Sequence, residues 1–255
     1  SAPTPAPAPA PAPAGLVTQQ SVPIVQTIPI AEVQQVVTVA TTAVDVSFLS
    51  TCSHVGTVIS VLQHHIDKPH VHITAWTALS KLCSSNNPEN QQSALSHGVV
   101  ALLLSSMKQQ AQHGNVLESV FKAIRFLVQA NAEIIRQTVD RGLIPLIVRE
   151  LDHHRTSPSA VAWGCAAIRE IALHDYGRQA VGTAGAIAVL IRVVKAQITS
   201  ENVVTEAFVA LKNIAASPSF RSKMAQHRVF LEGCREVHKR NAAVQRAVAP
   251  LLTLL

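Results

Sequence analysis

From about Val55 to Leu255, apolar residues recur at three- and four-residue spacing. That is the period of one buried helix face, so almost the whole stretch is predicted helical. In the window around residue 120, Leu117, Val120, Phe121, Ile124 and Leu127 form one apolar stripe, while Ser119, Lys122, Phe126 and Gln129 project to the other side. From Ile30 to about Ser50 the pattern is also helical, though rich in Val and Thr. Upstream it fails altogether. Residues 1–14 alternate Ala and Pro almost strictly, and Pro23 and Pro29 interrupt residues 15–30. Proline at every second position fixes φ and removes backbone donors, so an extended polyproline II arm is expected there.

The helical stretch repeats itself. Gly98, Gly142 and Gly185 each open an apolar run, and they lie 44 and 43 residues apart. A second element recurs in phase: Ala78-Leu79-Ser80-Lys81-Leu82, Ala123-Ile124-Arg125-Phe126-Leu127, Ala167-Ile168-Arg169-Glu170-Ile171 and Ala210-Leu211-Lys212-Asn213-Ile214. Two elements recurring together mark a stacked-repeat architecture, in which each unit buries its apolar face only against its neighbours. Stepping back from Gly98 reaches His54, and stepping forward from Gly185 reaches Arg228, so outer repeats are expected at both ends. The resulting organisation is an extended Pro/Ala-rich arm over 1–29, an N-terminal helical or capping segment over 30–53, and a repeat domain over 54–255.

The period near 43, the Gly-started helix Gly142 to Leu151 and the longer helix carrying Ala78 to Leu82 resemble the armadillo repeat. Four repeats and a partial fifth fit residues 50–255, and HEAT repeats are the nearest alternative. The resemblance implies an all-α solenoid, an armadillo-like right-handed superhelix, whose third helices line a concave binding surface. On that surface the projection places Lys81, Lys122, Phe126, Trp163, Glu170, Glu206 and Asn213. A basic row formed by Arg125, Arg169 and Lys212 runs beside them, whereas Trp76 projects into the core. An aromatic step flanked by cations suits an extended segment with acidic and apolar side chains. The family's nuclear-import adaptors carry a Trp ladder and an Asn ladder along this groove. Here the Trp-ladder positions hold Thr77, Lys122, Ala166 and Val209, and the Asn-ladder positions hold Lys81, Phe126, Glu170 and Asn213. Only Asn213 matches, which argues against import-adaptor function.

Composition narrows the chemistry. Of 255 residues 48% are apolar and 14% charged, a folding composition, and aromatic residues make up only 4%. Four scattered cysteines cannot form a disulfide scaffold or a zinc ribbon. His64, His65, His70 and His72 cluster within nine residues, and His153-His154 falls in the corresponding loop two repeats later. Their recurrence in loops reads as surface usage, and no metal site or cofactor is expected. No nucleophile elbow, phosphate loop, dinucleotide fingerprint or H-E-x-x-H is present, so no enzyme is expected. Cys165 reads as small core, and Glu150/Asp152 as helix-end charges.

The net charge of +6 is uneven: residues 1–45 carry Glu32 and Asp45 with no Lys or Arg, leaving +8 for the remainder. The last 38 residues carry seven Lys/Arg against two Glu. Contact with RNA in a ribonucleoprotein particle is therefore one reading, although acids interleave with the bases and few aromatics are placed for stacking. The apolar run Ala247 to Leu255 and the Val-rich segment 33–44 suggest stacking faces left for other proteins to cover. With the arm, these ends favour a structural accessory subunit of a larger multi-protein complex. A modular adaptor binding acidic or apolar peptides in its groove is the alternative. The absent initiator Met and the Ala-Pro start suit a mitochondrial subunit after presequence removal, with the cytoplasm as the other compartment.

Overall fold

The computed structural model describes residues 45–84 and 87–255, so the expected arm over 1–29 and the helix from Ile30 to residue 44 lie outside the described residues. A 3-10 helix, Ser47–Ser50, is followed by fourteen α-helices, with no strand among the described residues. They group by threes after a first pair. Repeat one holds α1 (Val55–His64) and α2 (Pro69–Cys83). Repeat two holds α3 (Pro88–Ser96), α4 (Val99–Gln109) and α5 (Gly114–Val128). Repeat three holds α6 (Ala132–Asp140), α7 (Leu143–His153) and α8 (Pro158–Ile171). Repeat four holds α9 (Asp175–Thr183), α10 (Ala186–Ala196) and α11 (Glu201–Ala215). Repeat five holds α12 (Pro218–Ala225), α13 (Arg228–Val237) and α14 (Ala242–Leu254).

Local chemistry sets these boundaries. Pro69, Pro88, Pro158 and Pro218 open helices, where their missing N–H costs nothing. The side chains of Asn87, Asn131 and Asn241 accept hydrogen bonds from Asn90 N, Ile134 N and Val244 N, capping α3, α6 and α14. Gly98, Gly142 and Gly185 sit between the first and second helices with φ of +74°, +71° and +84°. A side chain there would strain the left-handed backbone, which explains the recurring glycine. In repeat five the same junction is His227, with ordinary negative φ.

The third helices α2, α5, α8, α11 and α14 pack on one another in chain order and form the spine of the core. Trp76, Phe121, Phe208 and Leu79 are fully buried there. Each contributes roughly 1.5–3 kcal/mol by leaving water. Trp76 Nε1 donates to His72 Nδ1 (3.3 Å), and His72 Nε2 bonds Ile66 O (2.8 Å), so the buried indole is fully satisfied.

A polar ladder ties the repeats together where each second helix ends. Gln110 Nε2 donates to Ile66 O (3.1 Å) and His154 Nε2 to Ala111 O (2.8 Å). Gln197 Nε2 then donates to Arg155 O (3.0 Å) and His238 Nε2 to Ile198 O (2.7 Å). Each rung reaches back one repeat. His154 is thus an inter-repeat strut rather than a surface histidine, and His72 of the histidine-rich run is wholly buried. Glu150 departs from expectation too. It is 2% exposed and held by Arg149 at 2.6 Å, not an ordinary helix-end charge.

The C-terminal apolar run is spent inside the fold. Leu251 and Leu252 are buried, and Leu254 and Leu255 are partly buried against the core. Aligned on the ladder residues Gln197 and His238, buried Ile187, Ile191 and Val194 of α10 correspond to exposed Arg228, Glu232 and Arg235 of α13. Polar side chains therefore stand where inner repeats stack. The leucines of the run do not form the expected apolar docking face; the exposed large apolar side chains at this end are Val229 and Val237 of α13, 83% and 65% exposed.

Candidate functional site

The residues expected to line a groove lie on α2, α5, α8 and α11. The C-terminal end of α5 is held by buried Gln91 of α3, whose Nε2 donates to Phe126 O and Gln129 O, both at 2.9 Å. Phe126 and Trp163 are partly buried neighbours on α5 and α8, with ring centroids 6.2 Å apart and planes tilted by 47°. Tilted aromatic pairs at this distance are mutually attractive. Lys122 Nζ lies 5.1 Å from the Trp163 ring centroid, and the Arg125 guanidinium sits 4.4 Å from that of Phe126. Both distances suit cation–π attraction.

Beside this pair lies a depression of about 230 Å³ lined by Arg125, Ala162, Trp163, Ala166, Arg169 and Glu206, among others. Arg169 bridges two carboxylates there, at 2.7 Å from Glu170 and 2.6 Å from Glu206. Burial pushes the Glu206 carboxyl up from its ordinary range, and Arg169 and Arg125 pull it back toward the charged form. Burial also pushes the Arg125 guanidinium down, and the nearby positive charge of Arg169 adds to the effect.

The expected residues fall into three sets. Lys81 is exposed, and Lys122, Arg125 and Lys212 are partly buried; none of the four has a carboxylate within ion-pair distance among the described residues. Phe126 and Trp163 form the aromatic step. Arg169, Glu170 and Asn213 belong to the groove wall. Glu170 and Asn213 are 8% and 6% exposed, and Asn213 Nδ2 donates to Arg169 O (3.0 Å) across the repeat boundary. The basic row is therefore interrupted, because Arg169 is already matched by two acids. Ser119, projected onto the groove face, is buried and bonds Val116 O. Sequence projection missed the Arg169–Glu206 bridge. Its signal was available: opposite charges on groove positions of consecutive third helices.

Chemistry elsewhere is sparse. Among the described residues no group of three or more His, Cys, Asp or Glu converges as metal ligands would. Burial pushes the Cys83 thiol up to about 12 and the Cys234 thiol up to about 11, and the Cys165 thiol up as well, so none is a ready nucleophile. No single described helix is long and apolar enough to cross a membrane.

No protein-family model matches the sequence, and no curated protein matches it. Solved structures do match its fold. One is a designed armadillo repeat protein in complex with the peptide (KR)4: TM-score 0.73, 21% identity, 88% of this chain and 98% of that one. Two engineered proteins match at TM-scores of 0.68 and 0.66, with 21% and 20% identity. Each match covers 78% of this chain, and 78% and 80% of theirs. The chain thus has an armadillo-like repeat fold, an all-α solenoid.

Proposed function

We infer that the protein is a non-catalytic scaffold that holds an extended peptide segment of a partner protein along its third helices. The observation that carries this is the partly exposed Phe126–Trp163 pair beside a depression on a polar face. Rigid aromatic side chains at the centre of a shallow surface supply contact area at small entropic cost. The designed neighbour, bound to an alternating Lys/Arg peptide, supports the same use of the fold. Here, among the described residues, the unpaired cations Lys81, Lys122, Arg125 and Lys212 outnumber the unpaired carboxylates Glu118 and Glu201 on the same helices, so the guest is expected to be acidic and apolar.

Twelve-residue peptides selected from a random display library provide the test. Trp163→Ala with Phe126→Ala should weaken their binding at least about tenfold while the variant remains helical by circular dichroism, with a lowered Tm because both rings pack against the core. Binding that is unchanged in this variant contradicts the reading.

A second reading, membership of a larger assembly, draws on a different surface. Leu173 and Tyr176 are 55% and 53% exposed, and Tyr176 lines a depression of about 460 Å³ with Ile135, Arg136 and His174. Direct RNA contact has less support, since acids interleave with the C-terminal bases and some of those bases are engaged within the fold. Arg221 Nε donates to Ala215 O, Arg228 pairs with Glu232, and Lys239 pairs with Glu236.

A further inference from the structure

We propose that Lys122 and Arg169 are specificity-determining residues: they occupy, from within the chain, the groups a Lys/Arg-rich peptide would need, and so reserve the groove for acidic segments. The inference rests on the groove reading under the proposed function. A basic guest is held by two kinds of partner, aromatic faces and carboxylates. This groove contains both kinds, and the two aromatic faces and two of the carboxylates, Glu170 and Glu206, are taken. Lys122 Nζ lies over the Trp163 ring at 5.1 Å, and Arg125 lies over Phe126 at 4.4 Å. The carboxylates of Glu170 and Glu206 converge on Arg169 at 2.7 and 2.6 Å. Arg169 is held further by its side-chain burial, only 18% exposed, and Glu206 is 20% exposed. A guest lysine or arginine would have to displace one of these internal cations before reaching Trp163, Phe126, Glu170 or Glu206.

The charge balance points the same way. On these helices Lys81, Lys122, Arg125, Arg169 and Lys212 stand against four carboxylates, Glu118, Glu170, Glu201 and Glu206, leaving an excess of one positive charge. Like charge across an interface is a strong means of rejecting wrong partners. An acidic guest meets the reverse situation. Arg125 lines the depression, is desolvated, and has no carboxylate within ion-pair distance among the described residues. A guest carboxylate reaching it would form a charge-assisted pair without breaking one.

Fluorescein-labelled (Lys-Arg)4 and (Asp-Glu)4 peptides, titrated against the whole chain by fluorescence anisotropy, test this. The unmodified protein should bind (Asp-Glu)4 at least about tenfold more tightly than (Lys-Arg)4. Lys122→Ala with Arg169→Gln frees Trp163, Glu170 and Glu206, and should raise (Lys-Arg)4 affinity about tenfold while weakening (Asp-Glu)4. A folded double variant that binds (Lys-Arg)4 no better than the unmodified protein overturns the proposal. If Arg169→Gln prevents folding, Lys122→Ala alone decides. It should raise (Lys-Arg)4 affinity about threefold and let that peptide change Trp163 fluorescence, and no change in either overturns it. The Phe126→Ala/Trp163→Ala variant separates the two claims. If it leaves (Asp-Glu)4 binding intact, the groove reading itself fails. If it abolishes binding while the charge variants shift no preference, only the specificity role of Lys122 and Arg169 fails.

Discussion

Replacing His154 tests whether the inter-repeat ladder is a structural device. His154 Nε2 donates to Ala111 O at 2.8 Å, and its side chain is 13% exposed. His154→Ala removes that donor and leaves a carbonyl at the repeat boundary without it. Losing a hydrogen bond and stranding its partner costs about 1–2 kcal/mol. For a domain of this size, that corresponds to a fall in Tm of roughly 3–7 °C. His154→Gln should behave differently. The ladder already uses Gln110 and Gln197 at the neighbouring rungs, reaching their carbonyls at 3.1 and 3.0 Å. A Gln amide at 154 can take the same path, so its cost should stay within about 0.5 kcal/mol, below roughly 2 °C. Urea unfolding followed by circular dichroism, with thermal melts beside it, measures both. A His154→Gln variant that falls as far as His154→Ala would show that the imidazole's packing, and not its N–H, holds the repeats together.

Two further outcomes rest on buried groups. Burial pushes the His72 pKa below its ordinary value, with the hydrogen bond to Ile66 O and the nearby charge of Asp67 opposing the shift. The unfolded chain therefore takes up the proton first. The contribution of His72 is fully present above about pH 6.5 and is lost as pH falls through the depressed folded pKa. His72→Gln should flatten the acid side of the stability profile, and an unchanged slope below pH 6.5 contradicts this assignment. Among the glycines, a Cβ at Gly182 would lie 2.3 Å from the Phe220 ring, whereas one at Gly233 would meet nothing within 4 Å. Gly182→Ala should thus destabilise by about 1–3 kcal/mol, and Gly233→Ala, on an exposed helix surface, should stabilise by about 0.5–1 kcal/mol. Equal effects in urea unfolding would contradict the packing described.

The features legible in the sequence were those that depend on local spacing. The helix stripe through Leu117, Val120, Phe121, Ile124 and Leu127 is buried, and Trp76 is core. The period announced by Gly98, Gly142 and Gly185 coincides with three left-handed junctions. The features that escaped depend on contacts across repeats. Arg169 reads as one cation in a row until Glu206, 37 residues on, is seen to meet it. His154 reads as a loop residue because its partner carbonyl lies 43 residues back. The C-terminal leucines read as exposed because their partners are on other helices. The polar residues of the ladder, Gln110, His154, Gln197 and His238, recur at a nearly constant spacing. Scanning for buried polar residues at the repeat period, and not for apolar ones alone, would have found them.

The central claim is that guests bind along the third helices. Hydrogen–deuterium exchange of the protein with and without a saturating selected peptide tests it most directly. Protection concentrated in α5, α8 and α11, around Phe126, Trp163 and Glu206, is the predicted result. Protection confined to the second helices α4, α7 and α10, or to the Leu173–Tyr176 surface, would contradict it.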